Sequence, residues 1–373
     1  MTLNTALRKM FPLLNDDYED VQLSKLRMKL RLILLLILTT ISLSGYGQDY
    51  HFSQFYASPL SLNPALTGSF AEHYRVSSIY RSQLSGINSR FETTALGAEM
   101  NFRTGHLKRD QIGVGLYVYR DNLGDNIFMA QSIAISGAYH RSLDVFKRHR
   151  ISIGGQVGFV QKSIDPSRLT FSDQYEEYEI VPGLSSMDGA INNQVTYFNI
   201  NLGGFYSFKI TPRLDASTGI SVFQVNNPKE SYFTTSTGNK LDSRYTTYLG
   251  LNYRIKRNIS LSPKILYMNQ ERSQNINLGG NIGYDLGKKL ESTLFIGGWF
   301  RMADAAIGMA GVKWKTYILR FSYDATVSGL KEIKNASNIK ANPKAGAFEI
   351  SFVMTGKLPK AIPDTYTIPC TFY

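Results

Sequence analysis

From Tyr74 onward the chain alternates apolar and polar residues in segments of about ten, the period of a β-strand whose faces meet different surroundings. Asn275 to Tyr284 carries the pattern most clearly: Ile276, Leu278, Gly280, Ile282 and Tyr284 share one face, and Asn275, Asn277, Gly279, Asn281 and Gly283 the other. Tyr245, Thr247, Leu249, Leu251 and Tyr253 form a second apolar row with an aromatic ring at each end. Phe198 to Phe208 repeats it against Asn199 and Asn201, and Ile151 to Phe159 against Ser152 and Gln156. The alternation predicts strands over Tyr74–Arg81, Thr93–Arg103, Gln111–Arg120, Phe128–Arg141, His149–Ser163, Val195–Phe208 and Leu214–Gln224. It predicts a second run over Ser243–Arg254, Ile259–Gln270, Ser273–Asp285, Leu290–Arg301, Ala305–Trp314, Tyr317–Ala325 and Ala347–Thr355. A soluble sandwich alternates too, but its strands average about 5 to 6 residues.

Connection lengths point the same way. Short connections around Lys108-Arg109, Lys147-Arg148, Ile210 to Pro212, Lys256-Arg257, Lys288-Lys289 and Lys315 alternate with a set that includes the long Ile164 to Gln194, Asn226 to Asp242 and Thr326 to Gly346. Outer-membrane barrels alternate short periplasmic turns with longer external loops. The expected fold is therefore all-β: a transmembrane antiparallel β-barrel of about fourteen strands, spanning 73–356, with its termini in the periplasm. Each short turn carries or adjoins a Lys or Arg, a charge that caps strand ends or steers an acidic partner.

Only before the strands does the pattern change. Met28 to Arg31, then Leu32 to Leu38, then small residues to Gly47 have the basic start, short apolar run and small-residue end of a signal peptide over 28–47, with cleavage expected near Gly47/Gln48. Residues 1–27, with Asp16, Asp17, Glu19 and Asp20, read as a stretch upstream of the true start at Met28. No apolar run of about 18 residues follows, so the chain crosses a membrane as a closed barrel if it crosses one at all. The segment 48–72, broken by Pro59, Pro64 and Gly68, reads as a leader that either plugs the lumen or lies in the periplasm; 357–373 reads as a tail.

Composition sharpens this picture. Charged residues make up 19% of the 373, below the roughly 25% of soluble domains, while Tyr (23), Phe (21) and Gly (31) are abundant. The net charge of +12 is scattered rather than striped, which argues against nucleic acid. Cys370 is the single cysteine, so there is no disulfide framework. The five histidines lack zinc spacing, no nucleophile or metalloprotease motif is present, and no cofactor is implied. Asp173, Glu176, Glu177 and Glu179 lack the ordered ligand spacing of a calcium loop. Inward polar groups such as Asn277, Asn281, Arg320 and Asp324 need water or one another.

One set of short motifs is more specific than this physics. Phe52-Ser53-Gln54-Phe55-Tyr56-Ala57-Ser58-Pro59 and Leu62-Asn63-Pro64-Ala65-Leu66-Thr67-Gly68 are followed, in order, by Tyr80-Arg81-Ser82-Gln83 and by Lys162 to Phe171. Asn227-Pro228, Trp299-Phe300-Arg301, Ser322-Tyr323-Asp324 and Pro369-Cys370-Thr371-Phe372 complete the series. The ordered set resembles the PorP/SprF family of type IX secretion membrane proteins across residues 48–373. The resemblance implies a non-enzymatic barrel in the outer-membrane lipid that assists secretion or surface attachment of large proteins, such as gliding adhesins, bearing a C-terminal sorting domain. It also implies periplasmic type IX partners, including a peptidoglycan-binding lipoprotein. The residues it offers for cargo or partner binding are Phe52, Gln54, Phe55, Tyr56, Asn63 and Pro64 of the leader, and Asp165, Arg168 and Phe171 of the loop. A fatty-acid-channel-like barrel for apolar small molecules is the competing expectation.

Overall fold

The chain divides into two compact units, 1–47 and 48–373. The computed structural model describes residues 50–83, 91–103, 110–124, 126–169, 175–176, 179–180, 193–232, 239–287, 289–327 and 346–358, all in the second unit. The signal-peptide segment, Phe171 and residues 359–373 lie outside them.

Fourteen antiparallel strands close into one barrel. In chain order they are β1 (Tyr74–Gln83), β2 (Phe91–Arg103), β3 (Asp110–Leu123), β4 (Phe128–Ser142), β5 (His149–Ile164), β6 (Gln194–Thr211) and β7 (Leu214–Phe223). Then come β8 (Arg244–Lys256), β9 (Ile259–Gln270), β10 (Ser273–Asp285), β11 (Ser292–Arg301), β12 (Ala305–Trp314), β13 (Tyr317–Thr326) and β14 (Ala347–Gly356). Each strand pairs with its neighbours in sequence, and β1 pairs with β14 from Tyr74↔Gly356 to Gln83↔Ala347. No edge is left unpaired, as hydrocarbon requires. Every barrel strand lies where the alternation places it; the largest shift in starting residue, besides β2, is at β11, which begins at Ser292 with Leu290 in the preceding turn.

The two faces of the wall invert the usual globular arrangement. Ile135, Ile153, Ile220 and Ile296 point outward and are at least 61% exposed. Arg75, Lys264, Arg301 and Arg320 on the inward faces are among the most deeply buried side chains. Hydrocarbon outside and polar groups within are what the period-two pattern encodes when the solvent is lipid. The long connections 165–193, 224–243 and 327–346 share one rim with the tight turns 271–272 and 302–304, and the short turns 143–148, 212–213, 257–258, 286–291 and 315–316 share the other. Two β-bulges, at Lys209/Thr211 and Arg254/Lys256, also sit at the short-turn rim.

Candidate functional site

The lumen is occupied by the leader. Pro59 and Pro64 each preset φ for the start of a single turn. The result is three short turns in series: Phe55–Ala57, Pro59–Leu62 and Pro64–Leu66. Asn63 caps the third, its Oδ1 accepting from Ala65 N at 2.8 Å. Phe52, Phe55, Tyr56, Leu60, Leu62, Leu66 and Phe70 are all buried, at about 1.5–3 kcal/mol per large apolar side chain.

The leader's direction follows from its partners. Ser53 and Gln54 meet Arg81, Arg301, Asp324 and Glu349, at the ends of β1, β11, β13 and β14 nearest the long-loop rim. Phe55 and Tyr56 pack at mid-depth on Trp299 and Tyr248. Thr67 to Phe70 reach Ser136, His140, Gln111, Glu99 and Asn101 towards the short-turn rim, just before β1 begins. The leader thus runs from the long-loop mouth down to the short-turn mouth. The expectation of both termini on one side is corrected for the ends of the described chain: Tyr50 packs against Tyr119 near the long-loop mouth, whereas Leu358 follows β14 at the short-turn mouth. Sequence spacing could not reveal this, because the reversal is made by contacts nearly 300 residues apart.

Four sets of contacts hold the leader. At the top, Glu349 accepts from Ser53 N (2.7 Å), Gln54 N (2.8 Å) and Arg81 Nη1 (2.5 Å). Asp324 accepts from Ser53 Oγ (2.6 Å), Arg81 Nη1 (3.0 Å) and Arg301 Nη2 (2.7 Å). Gln54 donates to Ser322 Oγ (3.0 Å) and accepts from Ser351 Oγ (2.7 Å). Two carboxylates and two guanidiniums balance, and the leader's backbone N–H groups and hydroxyl fill the coordination that a buried ion pair needs.

At mid-depth, cations sit over rings. Lys264 Nζ lies 4.8 Å and Arg320 Cζ 5.3 Å from the Tyr56 ring centre. Burial pushes the Tyr56 hydroxyl up to about 12, against the pull of the Arg320 charge, so it keeps its proton at physiological pH. Asn63 Nδ2 donates to the wall carbonyls of Gly204 (3.0 Å) and Ile220 (3.1 Å). Glycine lets the leader's backbone come this close: a Cβ on Gly154 would lie 2.5 Å from Pro64 O, and one on Gly203 would overlap Asn63 Oδ1.

Lower down, Arg75 clamps Glu99 through Nε and Nη2, both at 2.8 Å, and Glu99 accepts from Gly68 N at 3.0 Å. The Phe70 ring covers Arg75 at 4.7 Å. His140 bridges Thr67 O and Ser152 Oγ, each at 2.7 Å.

Of the residues expected to bind cargo or partners, Phe52, Gln54, Phe55, Tyr56, Asn63 and Pro64 are therefore brought together, but all face the barrel wall and are buried. Asp165 and Arg168 lie apart, in the Pro166–Arg168 turn at the long-loop rim, where Asp165 N donates to Ile127 O at 2.9 Å and Arg168 is exposed. Phe171 lies outside the described residues, as do Asp173 and Glu177 of the acidic loop cluster. No group of metal-ligating side chains occurs among the described residues. Glu349, Glu99, Arg75, Lys264 and His140 were not singled out from sequence; a charged or polar side chain on the inward parity of a strand was the available signal.

The family model described as "Type IX secretion system membrane protein PorP/SprF" matches residues 44–352. The chain belongs to that family. Within this PorP/SprF barrel four of the ordered motifs meet at the top of the leader: Ser53-Gln54, Arg81, Arg301 and Asp324 come one from each and converge on one site. No curated protein matches the chain. Among solved structures, the Ralstonia pickettii toluene transporter TbuX is 10% identical, with a TM-score of 0.49 over 85% of this chain and all of that one. The Pseudomonas putida toluene transporter TodX is 9% identical, with a TM-score of 0.48 over 83% of this chain and 98% of that one. The CymD monoaromatic hydrocarbon channel is 9% identical, with a TM-score of 0.47 over 82% and 94%.

Proposed function

We propose that this PorP/SprF protein is a closed docking barrel, not a conduit: it assists secretion or surface attachment of a large protein with a C-terminal sorting domain, of the gliding-adhesin kind, without covalent chemistry. The observation that carries the reading is the occupied lumen. A barrel of about fourteen strands has room for a water-filled channel, and here leader side chains and ion pairs fill it, so a cargo polypeptide has no path through the wall. Cargo is met at the rims. The rim with the long connections, Asp165 and Arg168 included, faces the cell surface, and the short-turn rim faces the periplasm and its type IX components, a peptidoglycan-binding lipoprotein among them. Residues 28–47 are removed near Gly47/Gln48, and 48–72 act as the plug. Phe52, Gln54, Phe55, Tyr56, Asn63 and Pro64 then serve cargo indirectly, by holding the plug that shapes the outer mouth.

A channel for apolar solutes is the rival reading. The inward row of Arg320, Lys264, Asn277 and Asn281 is chemically unsuited to such solutes. Deleting the gene and assaying the cell surface and medium separates the two. Loss of a large adhesin from the surface supports docking. Normal display with failed uptake of apolar solutes sinks it.

A further inference from the structure

The short-turn rim carries a second surface that the plugged lumen does not use. The β4–β5 turn projects Leu143, Val145 and Phe146 into solvent, with Phe146 81% exposed. Arg148 lies over the Phe146 ring at 5.5 Å. Leu143 N still pairs with His149 O at 2.8 Å, so residues 144–148 hang beyond the last rung of the ladder, closed by Lys147 N donating to Asp144 O and by a left-handed Lys147 at φ 53°. Along the same rim, Arg213, Arg254, Lys256, Arg257 and Lys315 are exposed. The turn's own Asp144 accepts from His149 N (2.9 Å) and Asp110 of β3 from Tyr139 Oη (2.6 Å); Asp215 lies opposite Lys209 in the β6–β7 ladder, and Asp285 and Glu291 are exposed at the β10–β11 turn.

An aromatic belt places this turn relative to the membrane. Tyr206 and Phe208 of β6 and His149 of β5 stack on the outer wall one rung above the turn. Such a belt marks the headgroup level. Strand residues advance about 3.4 Å each, and the headgroup layer is roughly 5–7 Å deep on each side. The tip at Val145 and Phe146 therefore stands at the aqueous edge of that layer. Lipid headgroups can take Arg254 and Lys256 at the strand end, but they leave an exposed phenyl ring beyond the belt uncovered.

We propose that the β4–β5 turn, with the basic residues beside it on β6 to β9, is a docking site for a periplasmic protein that presents an acidic surface around an apolar pocket. Phe146, with Leu143 and Val145, fills the pocket; Arg148, Arg213 and Arg257 pair with its acidic margin. Exposed aromatic anchors ringed by charge are the side chains that dominate protein interfaces, and a predominantly basic stretch of rim speeds and orients encounter. The proposal rests on the membrane reading above but not on the identity of the cargo.

The test places a photo-crosslinking amino acid at position 146 in cells, with heat-modifiable migration confirming that the barrel has folded. One discrete protein adduct is expected, identified by mass spectrometry as an exported acidic protein. The triple charge reversal R148E/R213E/R257E should lower its yield at least tenfold. A lipid-only adduct, a smear of unrelated proteins, or an adduct indifferent to the reversal overturns the proposal. As a second measurement, a solvent-sensitive dye on Phe146→Cys, in a Cys370→Ser background, is compared in phosphatidylcholine vesicles with and without phosphatidylglycerol. Emission should stay water-like in both; a blue shift that grows with the anionic lipid assigns the turn to the membrane instead. Surface display of the adhesin, followed in the same strains, separates failure of docking from failure of the secretion reading.

Discussion

Glu349→Ala removes the carboxylate on which the top of the leader hangs. That carboxylate is fully buried and accepts from Ser53 N, Gln54 N and Arg81 at 2.7, 2.8 and 2.5 Å. Breaking a buried ion pair costs about 3–5 kcal/mol when one partner is left behind, and each orphaned buried N–H about 1–3 kcal/mol. Arg81 keeps Asp324 at 3.0 Å, which offsets part of the first term. We expect a net loss of about 4 kcal/mol of leader docking, close to a thousandfold in the ratio of docked to released leader. The assay is single-channel recording in planar bilayers, with limited proteolysis of the leader in parallel. Wild-type protein should be electrically quiet. Glu349→Ala should show openings and a leader cut within Tyr50 to Ser58, and Glu349→Gln, which keeps one acceptor oxygen, an intermediate frequency. If Glu349→Ala folds into a heat-modifiable barrel yet stays as quiet and as protease-resistant as wild type, the latch does not hold the plug.

Gly154→Val should force Pro64 off the wall, given 2.5 Å between a built Cβ and Pro64 O, and give leak conductance with the barrel intact. Asn63→Ala loses bonds to Gly204 O and Ile220 O and the cap on Ala65, about 2–4 kcal/mol of leader docking, read as faster proteolysis; unchanged cargo retention in Asn63→Ala/Pro64→Ala, with normal assembly, would remove the leader from the cargo mechanism. Arg75→Ala strands Glu99 against Gly68 N and should lower stability to urea in vesicles by about 3–5 kcal/mol. Ile135→Arg, on an outward position 65% exposed, should cost about 2–4 kcal/mol by the same measurement if it faces mid-bilayer; a soluble wall would tolerate it, so a neutral result argues against a membrane.

The wall was legible because a lipid-facing strand has only one way to satisfy two solvents. The predicted outward rows Ile276 to Tyr284 and Tyr245 to Tyr253 face out, and Asn277, Asn281, Arg320 and Asp324 face in. Closure at fourteen strands followed from the same counting. The leader was legible only as a segment broken by prolines. Its polarity in the lumen and its ion-pair partners depend on pairings such as Ser53 with Glu349, for which local pattern carries no signal. The leader residues that the family resemblance offered for cargo or partner binding face inward instead, onto glycines such as Gly154 and Gly203 that clear space for them.

Ser53 and Gln54 touch β1 through Arg81, β13 through Asp324 and β14 through Glu349, so they straddle the seam where the first strand meets the last. Ring closure is the step with the greatest sequence separation in the whole topology, and such pairings form late and slowly. Arg81 and Glu349, directly opposite each other in the β1–β14 register, both reach Ser53 only when that register is correct, Arg81 Nη1 donating to its Oγ and Glu349 accepting from its N. A strand slipped by one residue would turn Arg81 or Glu349 into lipid. Ser53 and Gln54 of the plug therefore hold the first and last strands to one common partner, so the fit of the plug and the register of the seam depend on each other.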